Sequence, residues 1–163
     1  MTEAWLTGPV EGVDPFLMPA AHSFLQVRAE IAVQLDGLSV EQLWRQPGAS
    51  ASIGYHALHL AGATERLLTY ARGVQLSDAQ LEAAKAEKTM RGLDSAALTT
   101  HVVAAMDAAL AEVRATLGAS ILEAREVGRQ RLPSTVLGLI VHAAEHATRH
   151  AGQIASLRKI IGT

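Results

Sequence analysis

The chain has 163 residues, 49% hydrophobic and 18% charged, which suits one globular domain over residues 1–163 and excludes a disordered chain. A formal charge of -2 with scattered arginines lacks the basic footprint that a phosphate backbone demands, so no nucleic-acid partner is expected. Cysteine is absent, which rules out disulfides and thiolate ligands and leaves histidine, aspartate and glutamate as the side chains able to hold an ion.

The opening Met1-Thr2-Glu3-Ala4-Trp5 has neither the basic start nor the apolar centre of a secretion signal. No run of about 18 uncharged apolar residues follows. The expectation is a cytoplasmic protein with no membrane span. The patterning predicts an all-α fold of four long helices with shorter pieces between them, and no strand-like alternation or internal repeat.

The first long helix follows Pro15 and runs to about Leu38. Phe16, Ala20, Phe24, Val27, Ile31 and Leu35 recur at spacings of three and four and define its apolar face. Ser39 with Gln42 forms a capping box for a short turn holding Leu43 and Trp44, and Pro47-Gly48-Ala49-Ser50 then breaks the chain. The second helix covers Ser52 to Arg72 and stops at Gly73, a residue suited to a left-handed C-cap. Ser77 and Gln80 open another short helix through about Glu87, and a loop at Arg91-Gly92 leads to Asp94, the N-cap of the third long helix. Leu98, Val102, Met106, Ala109, Val113 and Leu117 line that helix, and Gly118 ends it. The stretch Glu123 to Arg131 reads as a polar loop, after which Pro133 and Ser134 open the fourth helix. Alanine-rich faces suit close packing in a bundle, with either crossover or up-and-down topology.

Five of the seven histidines fall in two places: His56 and His59 on the second helix, and His142, His146 and His150 on the fourth. His146 and His150 sit about 40° apart on one face, one turn above the other, from which two imidazoles can reach one ion. A lone buried histidine is more often a hydrogen-bonded core residue, but a stripe at i, i+4 and i+8 would need several polar partners if buried. Two ligands on one helix leave a site incomplete, and the second helix offers the third. His59 shares its face with Tyr55, Ala63, Arg66 and Tyr70, while His56 points about 60° away.

At these residues the sequence resembles the DinB-like superfamily of bacterial four-helix metalloproteins. Ser52-Ile-Gly-Tyr-His-Ala-Leu-His59-Leu-Ala is similar to that family's second helix, and His146-Ala-Thr-Arg-His150-Ala-Gly-Gln153 resembles its H-x-x-x-H-x-G-Q on the last helix. The resemblance implies a four-helix bundle of the DinB-like type with short extra helices in the connections. It implies His59, His146 and His150 as ligands of one divalent metal ion, zinc or nickel. His56 and His142 do not match triad positions and are assigned to the pocket or to support of the ligands. Gln153 shares the face of His146 and anchors the helix, contacts bound water, or packs.

Three neutral imidazoles leave an ion its full charge and an open position, as catalytic sites do. The resemblance implies a thiol-dependent S-transferase using a low-molecular-weight bacterial thiol, and the lack of cysteine is consistent with a borrowed thiol. One alternative is a hydrolase acting through metal-bound hydroxide. Its nearest carboxylate, Glu145, lies about 100° from His146 around the helix and reads as a surface salt-bridge partner. Another alternative is a non-catalytic, metal-stabilised, stress-associated protein. Arg66 and Tyr70 are candidates for binding an anionic substrate or for satisfying buried polar groups. Arg125, Arg129 and Arg131 read as a solvated basic loop. Pairing into a homodimer through helix faces is expected from the resemblance.

Overall fold

A computed structural model describes residues 2–161 of the protein, so Met1 of the N-terminal reading lies outside it. In chain order come α1 (Met18–Leu35), α2 (Val40–Trp44), α3 (Ile53–Ala71), α4 (Asp78–Ala86) and α5 (Ser95–Ala115). Strands β1 (Ala124–Val127) and β2 (Leu132–Thr135) precede α6 (Val136–Ile161).

The four long helices build the bundle. α3 packs against α6 and α5, and α1 packs against the same two helices from the other side. The pairs α1 and α3, and α5 and α6, therefore face each other across the diagonals. Successive long helices are not neighbours at two of the three joins, so the connections cross the bundle instead of running up and down around it.

Each long helix turns its apolar face to one core. Phe24, Ile31 and Leu35 of α1 meet Ile53 and Leu60 of α3, Leu98 and Met106 of α5, and Ile140 and Ile154 of α6, all fully buried. On α6 the buried positions Ala143, Ala147 and Ala151 repeat every four residues, and α3 answers with Ala57 and Ala61. Small side chains at this seam let the α3 and α6 axes approach. The α5 helix is the one described helix long and apolar enough to cross a membrane by length and composition; here its Leu98, Val102, Met106 and Val113 lie in the bundle core.

Helix ends follow their sequence signals. Ser52 caps α3 by accepting from Tyr55 N–H, and Asp94 caps α5 by accepting from Ala97 N–H. At the end of α3, Gly73 (φ 77°) donates to Tyr70 O and Val74 donates to Thr69 O, a Schellman closure. The end of α1 is closed from outside. Arg158 of α6 donates to the carbonyls of Val33, Gln34 and Asp36, groups that a helix C-terminus leaves without partners.

Three expectations need correction. The predicted loop and helix start between Glu123 and Ser134 form a β-hairpin, with Ala124 opposite Thr135 and Val127 opposite Leu132. Its strands are too short and too polar to show alternation, and Pro133, which reads as a helix opener, sits in a ribbon whose two strands are both edges. Helix α6 begins at Val136, where Thr135 Oγ1 accepts from Gly138 N–H. Phe16 belongs to a 3-10 turn and is 71% exposed, while Leu17 takes the core position. Leu117 is likewise exposed, because α5 ends at Ala115.

Candidate metal centre

The site is built on the seam between α3 and α6. The start of α3 is fixed by three adjacent residues with separate jobs. Ser52 is buried and caps, Ile53 enters the core, and Gly54 leaves space for Trp44, whose ring would stand 2.8 Å from a Cβ added there. Trp44 Nε1 donates to Leu93 O at 2.9 Å, which ties α2 and the approach to α5 onto this end of α3. His56 and His59 follow within the next two turns.

The structure brings His59, His146 and His150 together. One ring nitrogen from each lies within 4.8 Å of the other two. Ring centroids are 5.1 Å apart for His59 and His146, 4.9 Å for His59 and His150, and 4.5 Å for His146 and His150. His56 is buried behind them, its Nδ1 2.9 Å from Nδ1 of His150. Of two nitrogens at that distance one donates and one accepts. If His150 donates, its Nε2 keeps a free lone pair and His56 carries its proton on Nε2.

Burial first, and then the surrounding imidazoles, push the pKa of His150 down to about 3. The same causes lower His146 and His56. These rings are therefore neutral near pH 7, which is the form that binds metals. His146 supplies the decisive detail. Its Nδ1 is buried and has no hydrogen-bond partner, a condition that costs about 1–3 kcal/mol when nothing answers it. A buried ring nitrogen with no protein partner, beside two further imidazoles, makes a donor set that suits a divalent ion.

His59 is held by a residue that periodicity did not single out. Its Nδ1 lies 2.9 Å from Oε2 of Glu87, the C-cap residue of α4. Burial works to raise the Glu87 pKa, but hydrogen bonds from His59 and Arg66 and the Arg66 charge outweigh it and hold the carboxyl below its usual range. An ionised carboxylate only accepts, so His59 donates through Nδ1, which leaves Nε2 as the nitrogen that can face an ion. Arg66 Nη1 grips the other oxygen of Glu87 at 2.5 Å. Gly62 makes room for this pair, since a Cβ at that position would collide with the Glu87 carboxylate and approach Arg66 Nη1.

Other predicted residues are spread around the cluster or away from it. His142 is exposed at the rim, its ring 6.0 Å from that of His146 and its Nδ1 3.4 Å from Glu145. Glu145 also pairs with Arg149, and that hydrogen bond is the main cause of its lowered pKa. Arg66 reaches the site through Glu87, while Tyr70 packs against the core farther along α3. Gln153 is exposed on α6 with no hydrogen bond to the cluster. The three hairpin arginines diverge: Arg125 donates to Ala71 O at the end of α3, Arg131 lies 3.5 Å from Glu126, and Arg129 lines a cleft.

That cleft, of about 460 Å³, opens beside His59 between α3, α4 and the hairpin turn, with Tyr55, Arg66, Leu81, Lys88 and Arg129 on its walls. A hollow of about 510 Å³ under the N-terminal segment is larger, but no imidazole of the cluster lines it.

A family model for the DinB superfamily matches residues 23–154, a span that takes in the bundle, the three histidines and Glu87. The chain belongs to the DinB superfamily. No curated protein matches it. Membership agrees with the helical bundle and with a histidine cluster placed on its second and last long helices. In this DinB-superfamily protein the signal that could have found Glu87 is a conflict: an acidic side chain at a helix C-terminus opposes the macrodipole and needs another reason to be there.

Proposed function

We propose that the protein is a metal-dependent enzyme in which His59, His146 and His150 hold one divalent ion, zinc or nickel, for thiol-dependent S-transfer. The observation that carries this is the buried, partnerless Nδ1 of His146 within a cluster of three imidazoles. Bound there, the ion would act as a Lewis acid that lowers the pKa of an incoming thiol and leaves the thiolate ready to attack an electrophile. The cleft beside His59 is where a small substrate would sit. Tyr55 stacks on His59 with ring centroids 5.5 Å apart, forming an apolar floor, and Lys88 and Arg129 at the walls suit an anionic group.

The hydrolase reading wants a free carboxylate to take a proton from water. Both acids at the cluster are engaged: Glu87 with Arg66 and His59, and Glu145 with Arg149. A low-molecular-weight thiol starts with a pKa of about 8.5, far below that of water, and so needs less help to ionise, which supports S-transfer over hydrolysis. Pairing of two copies through a helix face remains part of the proposal, and a mass of 17.2 kDa in solution would remove it.

The test is thiol conjugation by metal-loaded protein. Wild type should consume an electrophile such as a chloronitrobenzene with a cysteine-derived thiol, and His150→Ala should not. No conjugation with any of a panel of low-molecular-weight thiols, in protein shown to carry metal, contradicts the transferase reading.

A further inference from the structure

Glu87 is the one buried carboxylate among the described residues, at 8% exposure. It is the C-cap of α4, a helix none of whose own residues is fully buried. Leu81, Ala84 and Ala86 are half-buried, and polar contacts fix the two ends of the helix. Near its start, Gln80 Nε2 donates to Glu65 Oε1 and Thr69 Oγ1, each at 2.9 Å. At its end, Glu87 accepts from His59 and Arg66. The α4 helix is also the wall of the cleft, through Leu81, Ala84 and Lys85.

We propose that Glu87 is the positioning residue of His59 and latches α4 to the metal centre, so that ion binding and docking of α4 reinforce each other. The proposal rests on the three-histidine reading above. The carboxylate fixes the proton of His59 on Nδ1, turns Nε2 toward the other two imidazoles and makes the ring a better donor, as carboxylates behind metal-bound histidines do. Arg66 and the missing side chain at Gly62 hold the carboxylate in that pose. Linkage is reciprocal: if a docked α4 tightens ion binding, a bound ion tightens α4 by the same factor. The cleft wall is then firm when the ion is present.

The experiment uses full-length wild type, Glu87→Gln and Glu87→Ala. Zinc affinity is measured by chelator competition, and amide hydrogen exchange of Asp78–Ala86 is followed with and without zinc. Glu87→Gln keeps the shape and can accept from His59, but it loses the charge that Arg66 grips. The expected order of affinity is wild type, then Gln, then Ala, with Ala weaker than wild type by about tenfold or more. Zinc should slow exchange in α4 of wild type and leave it unchanged in Glu87→Ala. Equal affinity in all three proteins, or equal zinc protection of α4 in wild type and Glu87→Ala, overturns the latch while leaving the triad standing. A wild type that takes up neither zinc nor nickel overturns the triad itself and the latch with it. If Glu87→Ala loses its helical signal, the comparison of wild type with Glu87→Gln decides the matter.

Discussion

At the scale of single residues, space matters as much as charge around the cluster. Gly54 and Gly62 are both helical and neither needs a positive φ; each is required by what lies against it. Gly54→Ala places a methyl group 2.8 Å from the Trp44 ring, and overpacking of this kind costs about 1–3 kcal/mol. We predict a lower midpoint in urea unfolding with metal content unchanged. Gly62→Val should act differently, displacing the Glu87 carboxylate and weakening metal retention more than it weakens the fold. Dialysis against a mild chelator separates the two, and a Gly62→Val protein that retains metal like wild type contradicts this account. Arg158→Ala removes the donors that close α1, and hydrogen bonds from a charged group suggest a loss of about 1–3 kcal/mol. An unchanged urea midpoint would show that water serves those carbonyls equally well.

At the scale of elements, the seam between α3 and α6 is held by small residues below and imidazoles above. Stripping the metal should therefore loosen this pair first. An ion present at about 100 times its Kd stabilises the folded state by about 2.7 kcal/mol. For a chain of this size that is a Tm shift of about 5–10 °C. We predict that chelator lowers the Tm of wild type by this amount and leaves that of His146→Ala unmoved. A chelator-insensitive wild type would mean that no ion contributes to the fold. The elements themselves were legible where local chemistry was strong. Ser39, Ser77 and Asp94 all cap the helices they announce, and Gly73 closes α3 as expected. The hairpin was illegible because a four-residue strand such as Ala-Arg-Glu-Val half-buries only Arg125 and Val127, too few positions of mixed polarity to set a period.

At the scale of the whole molecule, four long helices could be counted from periodicity, but their order around the core could not. That order depends on which apolar faces meet across the chain, and α1, α3, α5 and α6 are too alike in alanine and leucine for pattern to choose. The site was half visible for a related reason. His146 and His150 share one helix, so their spacing alone sets them side by side. His59 gained its place from the resemblance of the Ser52–Ala61 segment to a family motif. Glu87 lies 28 residues from His59 and reaches it only through the docking of α4; its odd place at a helix C-terminus flags it but does not name its partner. His56, expected beside the site, proves to be the buried partner of His150. Function turns on the convergence of three imidazoles on one ion. Its most direct test is the metal content, by elemental analysis, of native protein beside His59→Ala, His146→Ala and His150→Ala. One equivalent of a divalent metal in the native protein, lost in each variant with helicity retained, is the predicted result; equal metal in all four proteins would contradict it.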